Sequence, residues 1–153
     1  MKYEIVELEE KVVAGIKIKT TNQDGKAMQD IGITWQRLFT DEIYERIKNK
    51  VNNKTIGLYT EYEGDYTKPY IFIAGAEVSK RGESNKEIVR KVIPKGKYAK
   101  FIITGDVQNS VGQAWQEIWN IIILEYNRSY FLIVLYISAY YRNIPISILL
   151  ISN

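Results

Sequence analysis

One stretch of this chain occurs twice. Gly32-x-x-Trp35-Gln36-x-x-Phe39 returns as Gly112-x-x-Trp115-Gln116-x-x-Trp119. Glu4-Ile5-Val6 likewise corresponds to Glu87-Ile88-Val89, and Thr20 to Thr104, so the offsets of 80 to 84 differ only by loop length. A unit of that size cannot close a core alone and must share one with its copy. The repeat therefore predicts an α+β fold of two βαββ units with pseudo-twofold symmetry, an antiparallel sheet carrying two helices on one face. The first unit is expected over about 2–80, the second over about 86–153, together forming a single domain, 1–153.

Local patterns fill in each unit. Lys2 to Leu8 alternates loosely, and Val13 to Thr20 sets Ile16 and Ile18 against Lys17 and Lys19 with a period of two, the mark of a half-buried strand. After a loop containing Asp24-Gly25, Ile31, Trp35, Leu38, Phe39, Ile43 and Ile47 recur at helical spacing, which predicts a helix from Met28 to about Lys50. Thr55 to Tyr62 and Tyr70 to Val78 read as strands. In the second unit, Lys86 to Ile93 and Tyr98 to Thr104 flank a turn at Pro94 to Lys97. Asp106 can cap a helix from Val107 to about Leu124. The segment after Asn120 is poor in charge, and two buried strands at about 128–137 and 144–152 are expected there. A membrane helix needs about 20 apolar residues, and Arg142 and Pro145 would fall inside one.

Composition removes several kinds of chemistry. The 153 residues include neither cysteine nor histidine. Disulfides and thiol catalysis are excluded, as are zinc sites of the usual type and Ser-His-Asp hydrolysis. No metal or other cofactor is expected. The net charge of +3 comes from 21 basic and 18 acidic residues interleaved along the chain, so direct nucleic-acid binding is not expected. The densest basic stretch, Lys86 to Lys100, reads as the solvent side of two strands. The start MKYEIVELEE carries no apolar signal core, and a cytoplasmic location is expected.

Five segments taken in order resemble the gyrase-inhibitor-like, AraC-type effector-binding domain family, in its stand-alone form. They are Gly57-Leu58-Tyr59-Thr60-Glu61-Tyr62; Asp65-Tyr66 with Tyr70; Gly75-Ala76-Glu77-Val78; Ile93 to Phe101; and Ala114-Trp115-Gln116-Glu117-Ile118-Trp119. The resemblance covers roughly residues 2 to 120. It implies a ligand groove between the two helices, over the middle of the sheet, that takes amphipathic and often cationic aromatic molecules. Members act as multidrug-binding domains in transcription regulation or as separate proteins. The family carries an acidic strand after the second helix, and Val134 stands where its glutamate would be. Glu61 and Glu77 are then the candidates to replace it.

Twelve tyrosines and three tryptophans supply flat apolar faces with polar tips, which suits an apolar pocket with a few polar contacts. The candidate ligand-binding residues are Trp35, Tyr59, Phe72, Ala74, Phe101, Trp115, Trp119 and Tyr136. Tyr98 and Phe101 should fall on opposite strand faces. No catalytic residue is assigned. The leading expectation is a protein that senses or sequesters a small amphipathic ligand, as a monomer or homodimer. The alternatives are a gyrase-inhibitor-type module with a protein partner and, last, a hydrolase of reactive small molecules.

Overall fold

The computed structural model describes residues 3–64, 67–79, 82–103, 107–121, 132–137 and 146–151, with side chains described as far as Phe101 and from Gly112 to Asn120. The elements run β1 (Tyr3–Leu8), β2 (Lys11–Thr20), a single 3-10 turn (Gln23–Gly25), α1 (Lys26–Thr40), α2 (Ile43–Arg46), β3 (Thr55–Thr60), β4 (Tyr70–Val78), β5 (Val89–Ile93), β6 (Gly96–Ile103), α3 (Val107–Ile121), β7 (Leu132–Ile137) and β8 (Ile146–Ile151). The fold is α+β. All eight strands join one antiparallel sheet in the order β1-β6-β8-β7-β3-β4-β2-β5.

That order forces the sheet to roll. β1 sits at one end and β2 near the other, yet only Glu9 and Glu10 connect them; Pro94 and Lys95 alone carry β5 across to β6. A link of two residues spans about 10 Å, the distance at which two sheet layers pack face to face. The two ends of the sheet therefore lie against each other. Inside the roll is a core of Val13, Ile56, Leu58, Ile73, Ile93 and Tyr98, closed by Val6, Leu8, Ile71 and Val89. Tyr98 donates its hydroxyl to the Pro94 carbonyl at 2.6 Å, fastening the β5–β6 link.

Towards the β5 end of the sheet, β2 and β4 approach each other unusually closely. Gly15 on β2 stands in register with Gly75 on β4. A Cβ on Gly15 would lie 2.1 Å from the Ala74 carbonyl oxygen, and one on Gly75 would lie 1.9 Å from that of Ala14. Only glycine lets the two backbones come this near.

The outer face of the roll carries the helices. Val12, Ala14, Ile16, Tyr59, Phe72, Ala74 and Phe101 from the strands pack with Leu38 of α1 and with Ala114 and Ile118 of α3. Each helix has two buried positions four residues apart, Thr34 and Leu38 in α1, Ala114 and Ile118 in α3. Each follows those with a half-buried aromatic, Trp35 and Phe39, then Trp115 and Trp119.

The helix expected to reach Lys50 instead ends at Thr40 and restarts for one turn. Glu42 adopts φ +55°, a left-handed conformation that α-helix cannot include. Ile43 and Ile47 stay buried through the restart, which explains why their spacing read as one helix. β5 starts at Val89 rather than Lys86 because the Asn85 side chain accepts the amide N–H groups of Glu87 and Ile88 at 2.8 and 2.7 Å. Those amides are then unavailable to a strand. Asp65, Tyr66, Thr104 and the expected cap Asp106 lie outside the described residues. The basic stretch is matched by acids: Lys91 with Glu61 at 3.6 Å, Lys95 with Glu9 at 3.4 Å, Lys100 with Glu4 at 3.7 Å, and Lys97 in register with Glu7. Among the described residues, no helix is long and apolar enough to cross a membrane.

Candidate functional site between the two helices

Strand alternation puts Gly57 and Tyr59 of β3 on the helix side, with Ala74 and Phe72 of β4 directly beside them in register. Helical spacing brings Trp35 down onto this floor from α1, and Trp115 and Trp119 from α3. The rings then meet in an unbroken row. Trp35 meets Phe72 edge-on at 5.8 Å, Phe72 meets Tyr59 at 5.0 Å, Tyr59 meets Trp115 at 5.3 Å, and Trp115 stacks on Trp119 at 5.6 Å. These separations are those of favourable aromatic pairs, each worth about 0.5–1.5 kcal/mol beyond the area it buries. Phe72 and Ala74 are fully buried, whereas the three tryptophans keep part of their surface exposed.

Gly57 fits this arrangement closely. A Cβ there would stand 3.0 Å from Cζ2 of Trp35 and 3.1 Å from Cε2 of Phe72, so the missing side chain is what admits the Trp35 indole.

At its middle member, Tyr59, the row branches towards a polar side. The Tyr70 ring lies 5.9 Å from Tyr59 and stacks on Tyr62 at 4.7 Å. The Tyr70 hydroxyl donates to Oδ1 of Asn22 at 2.8 Å. Nearby, Asp30 of α1 accepts the Thr20 hydroxyl at 2.8 Å and the Lys26 ammonium at 2.6 Å through Oδ2. The Lys26 hydrogen bond, then that of Thr20, holds the Asp30 carboxyl below the usual carboxylate range. Burial pushes the Tyr70 phenol up to about 12, and the negative charge of Asp30 adds to the shift. Tyr59 and Tyr62 are raised further, by burial first and then by the neighbouring phenols; a hydrogen bond with the Trp115 indole acts against this at Tyr59. All three phenols stay protonated and neutral across the physiological range.

Of the eight residues singled out from sequence, Trp35, Tyr59, Phe72, Ala74, Trp115 and Trp119 come together here. Phe101 belongs to the same core, but its ring partner is Tyr3 of β1 at 5.2 Å, to one side of the row. Tyr98 falls on the opposite face, inside the roll. Tyr136 stands in register with Ile56, and Val134 with Leu58, two residues of the inner core. The β7 positions in register with Tyr59 and Gly57 are Ile133 and Leu135. Glu61 lies beyond the end of β3 at φ +54°, exposed, and Glu77 is paired with Lys11 at 3.2 Å. Neither takes a place in the aromatic row. Tyr62, Tyr70, Asn22 and Asp30 were not among the candidate ligand-binding residues. Tyr70 was within reach, since it follows the same alternation as Phe72 and Ala74; Asp30 lies one helical turn before buried Thr34. Among the described residues no group of acidic side chains is placed to hold a metal.

Comparison with known proteins agrees with the geometry. Among solved structures, the integron cassette protein VCH_CASS2 from the mobile metagenome of Vibrio cholerae is 28% identical, with a TM-score of 0.75 over 97% of this chain and 94% of that one. SAV2435, solved bound to tetraphenylphosphonium, is 19% identical with a TM-score of 0.79 over 98% and 93%. EcmrR, seen in a complex with DNA, is 12% identical with a TM-score of 0.62; the match takes in 97% of this chain but 56% of that one. No curated protein sequence matches significantly. Residues 4–131 match the family described as Cass2, integron-associated effector binding protein, and with helices and sheet arranged as above, the chain belongs to that effector-binding family.

Proposed function

We propose that this protein binds a small amphipathic aromatic molecule in the groove between α1 and α3, and senses or sequesters it without turnover. The observation that carries this reading is the row Trp35, Phe72, Tyr59, Trp115 and Trp119, which spans from one helix to the other across the sheet. Indoles of that kind, left partly exposed, match a flat apolar guest, and the polar side at Tyr62 and Tyr70 gives an amphipathic guest a direction. The ligand named in the SAV2435 structure is itself aromatic, which supports the same class here.

The groove follows from a duplication in which β1–β4 with α1 correspond to β5–β8 with α3. Exchanging each strand with its counterpart turns the order β1-β6-β8-β7-β3-β4-β2-β5 into its own reverse, as a pseudo-twofold axis between β7 and β3 requires. That axis would bring Trp35 and Trp115 to equivalent places on either side of one groove, within a single domain spanning the chain.

Titration of the purified protein with hydrophobic aromatic compounds, followed by tryptophan fluorescence, tests the proposal. Saturable quenching is expected, and Trp115→Ala should weaken it by about tenfold, as for the loss of a central aromatic anchor. Quenching that never saturates, or that Trp115→Ala leaves unchanged, would refute it. The competing reading as a protein-interaction module draws on exposed Met28 and Ile33 of α1. It requires a stoichiometric protein partner that substitutions at those two positions release.

A further inference from the structure

The charge of the groove can be read from its residues. Among the described residues, the buried polar side chains are four threonines, Thr20, Thr34, Thr55 and Thr60; no carboxylate is buried. β7 and β8, which continue the floor, have the sequences LIVLYI and ISILLI, without a charged residue. Asp30 is the carboxylate on the polar side: it accepts the Thr20 hydroxyl at 2.8 Å, Thr20 stands in register with Tyr70, and the Tyr70 ring lies 5.9 Å from that of Tyr59. That charge is already used. Lys26 sits one helical turn earlier with its ammonium 2.6 Å from Oδ2, and Thr20 donates to the same oxygen.

We propose that the Lys26–Asp30 pair is a charge selector, which makes this groove prefer neutral aromatic ligands to permanent organic cations. The inference rests on the ligand-binding reading above and gives it a substrate class. A permanent cation entering the groove loses its hydration, and the ring faces recover only part of that loss. Recovery of the rest needs an unpaired carboxylate. Asp30 would have to give up Lys26, whose ammonium would then remain beside the incoming charge. A neutral guest pays neither cost and uses the same ring faces.

Two near-isosteric probes separate charge from shape: triphenylphosphine oxide, which is neutral, and methyltriphenylphosphonium, a permanent cation. Tryptophan fluorescence should show the oxide binding the wild-type protein about tenfold more tightly than the phosphonium, the order of one charge-assisted contact. Lys26 is more than half exposed, so Lys26→Met should fold normally. It should raise phosphonium affinity about tenfold and leave the oxide within about twofold, because it frees the Asp30 carboxylate. Adding Asp30→Asn to that variant should abolish the gain. Wild-type protein that binds the cation as tightly as the oxide, or a Lys26→Met variant with unchanged preference, overturns the selector while leaving the groove intact. Binding of neither probe overturns the groove itself, and the selector with it.

Discussion

Tyr70 ties together the parts of the site that matter most at the scale of single residues. Its ring extends the aromatic row, its hydroxyl reaches Asn22, and its acidity registers Asp30. With Tyr98, whose phenol burial also pushes up to about 12, it gives the fold a pH dependence of definite sign. A phenol raised in the folded state contributes stability that is complete below its unfolded value near 10. As pH climbs from there to about 12, the unfolded chain releases its protons while the folded protein keeps them, and stability falls. In an alkaline titration, the tyrosinate absorbance of Tyr59, Tyr62, Tyr70 and Tyr98 should therefore appear late, in one step that coincides with loss of structure by circular dichroism. Complete ionisation of the tyrosines near pH 10 with the fold intact would contradict the burial described here. At this scale the sequence was most legible where alternation and helical spacing applied, at Tyr59, Phe72, Trp35 and Trp115. It was least legible for Asp30, whose place depends on Thr20 and Lys26 meeting it through tertiary contacts that no periodicity encodes.

Secondary-structure elements raise a different question, because glycines sit inside them for opposite reasons. In α1, Gly32 is exposed, and a Cβ there would meet nothing within 4 Å. Gly32→Ala should stabilise the protein by about 0.5–1 kcal/mol through helix propensity and a less flexible unfolded chain. Gly112 in α3 is in the same open setting. Gly15 and Gly75 are the reverse case. Either one changed to alanine forces a carbonyl from about 2 Å of the new carbon, and the loss should reach roughly 3 kcal/mol, the upper end of overpacking costs. Denaturant melts of Gly32→Ala and Gly15→Ala decide both points, and the account fails if the two shift in the same direction. Most elements were legible from period alone, including β2, β4 and the body of each helix. The misjudged boundaries have local causes: Glu42 in the left-handed region breaks the first helix, and the Asn85 side chain holds the start of β5. Hydrophobic spacing is blind to both.

For the molecule as a whole, the α+β class and a single antiparallel sheet shared along the chain were legible from the repeated tryptophan motif. The rolling of that sheet was not legible, since it follows from strand order together with two links of two residues each, at Glu9–Glu10 and Pro94–Lys95. Rolling gives the sheet an inner core of its own and leaves the outer face to the helices and the aromatic row that joins them. In the register of β7, Tyr136 is opposite Ile56 and Val134 opposite Leu58, while Ile133 is the residue opposite Tyr59. The claim on which everything functional depends is that the groove over Tyr59 and Phe72 is where a guest sits. The most direct measurement is a bromine anomalous-scattering map from crystals grown with a brominated neutral aromatic compound. The account expects one peak between α1 and α3, beside Trp35 and Trp115. A peak on any other surface, or an empty groove in crystals of protein shown to be saturated in solution, would contradict it.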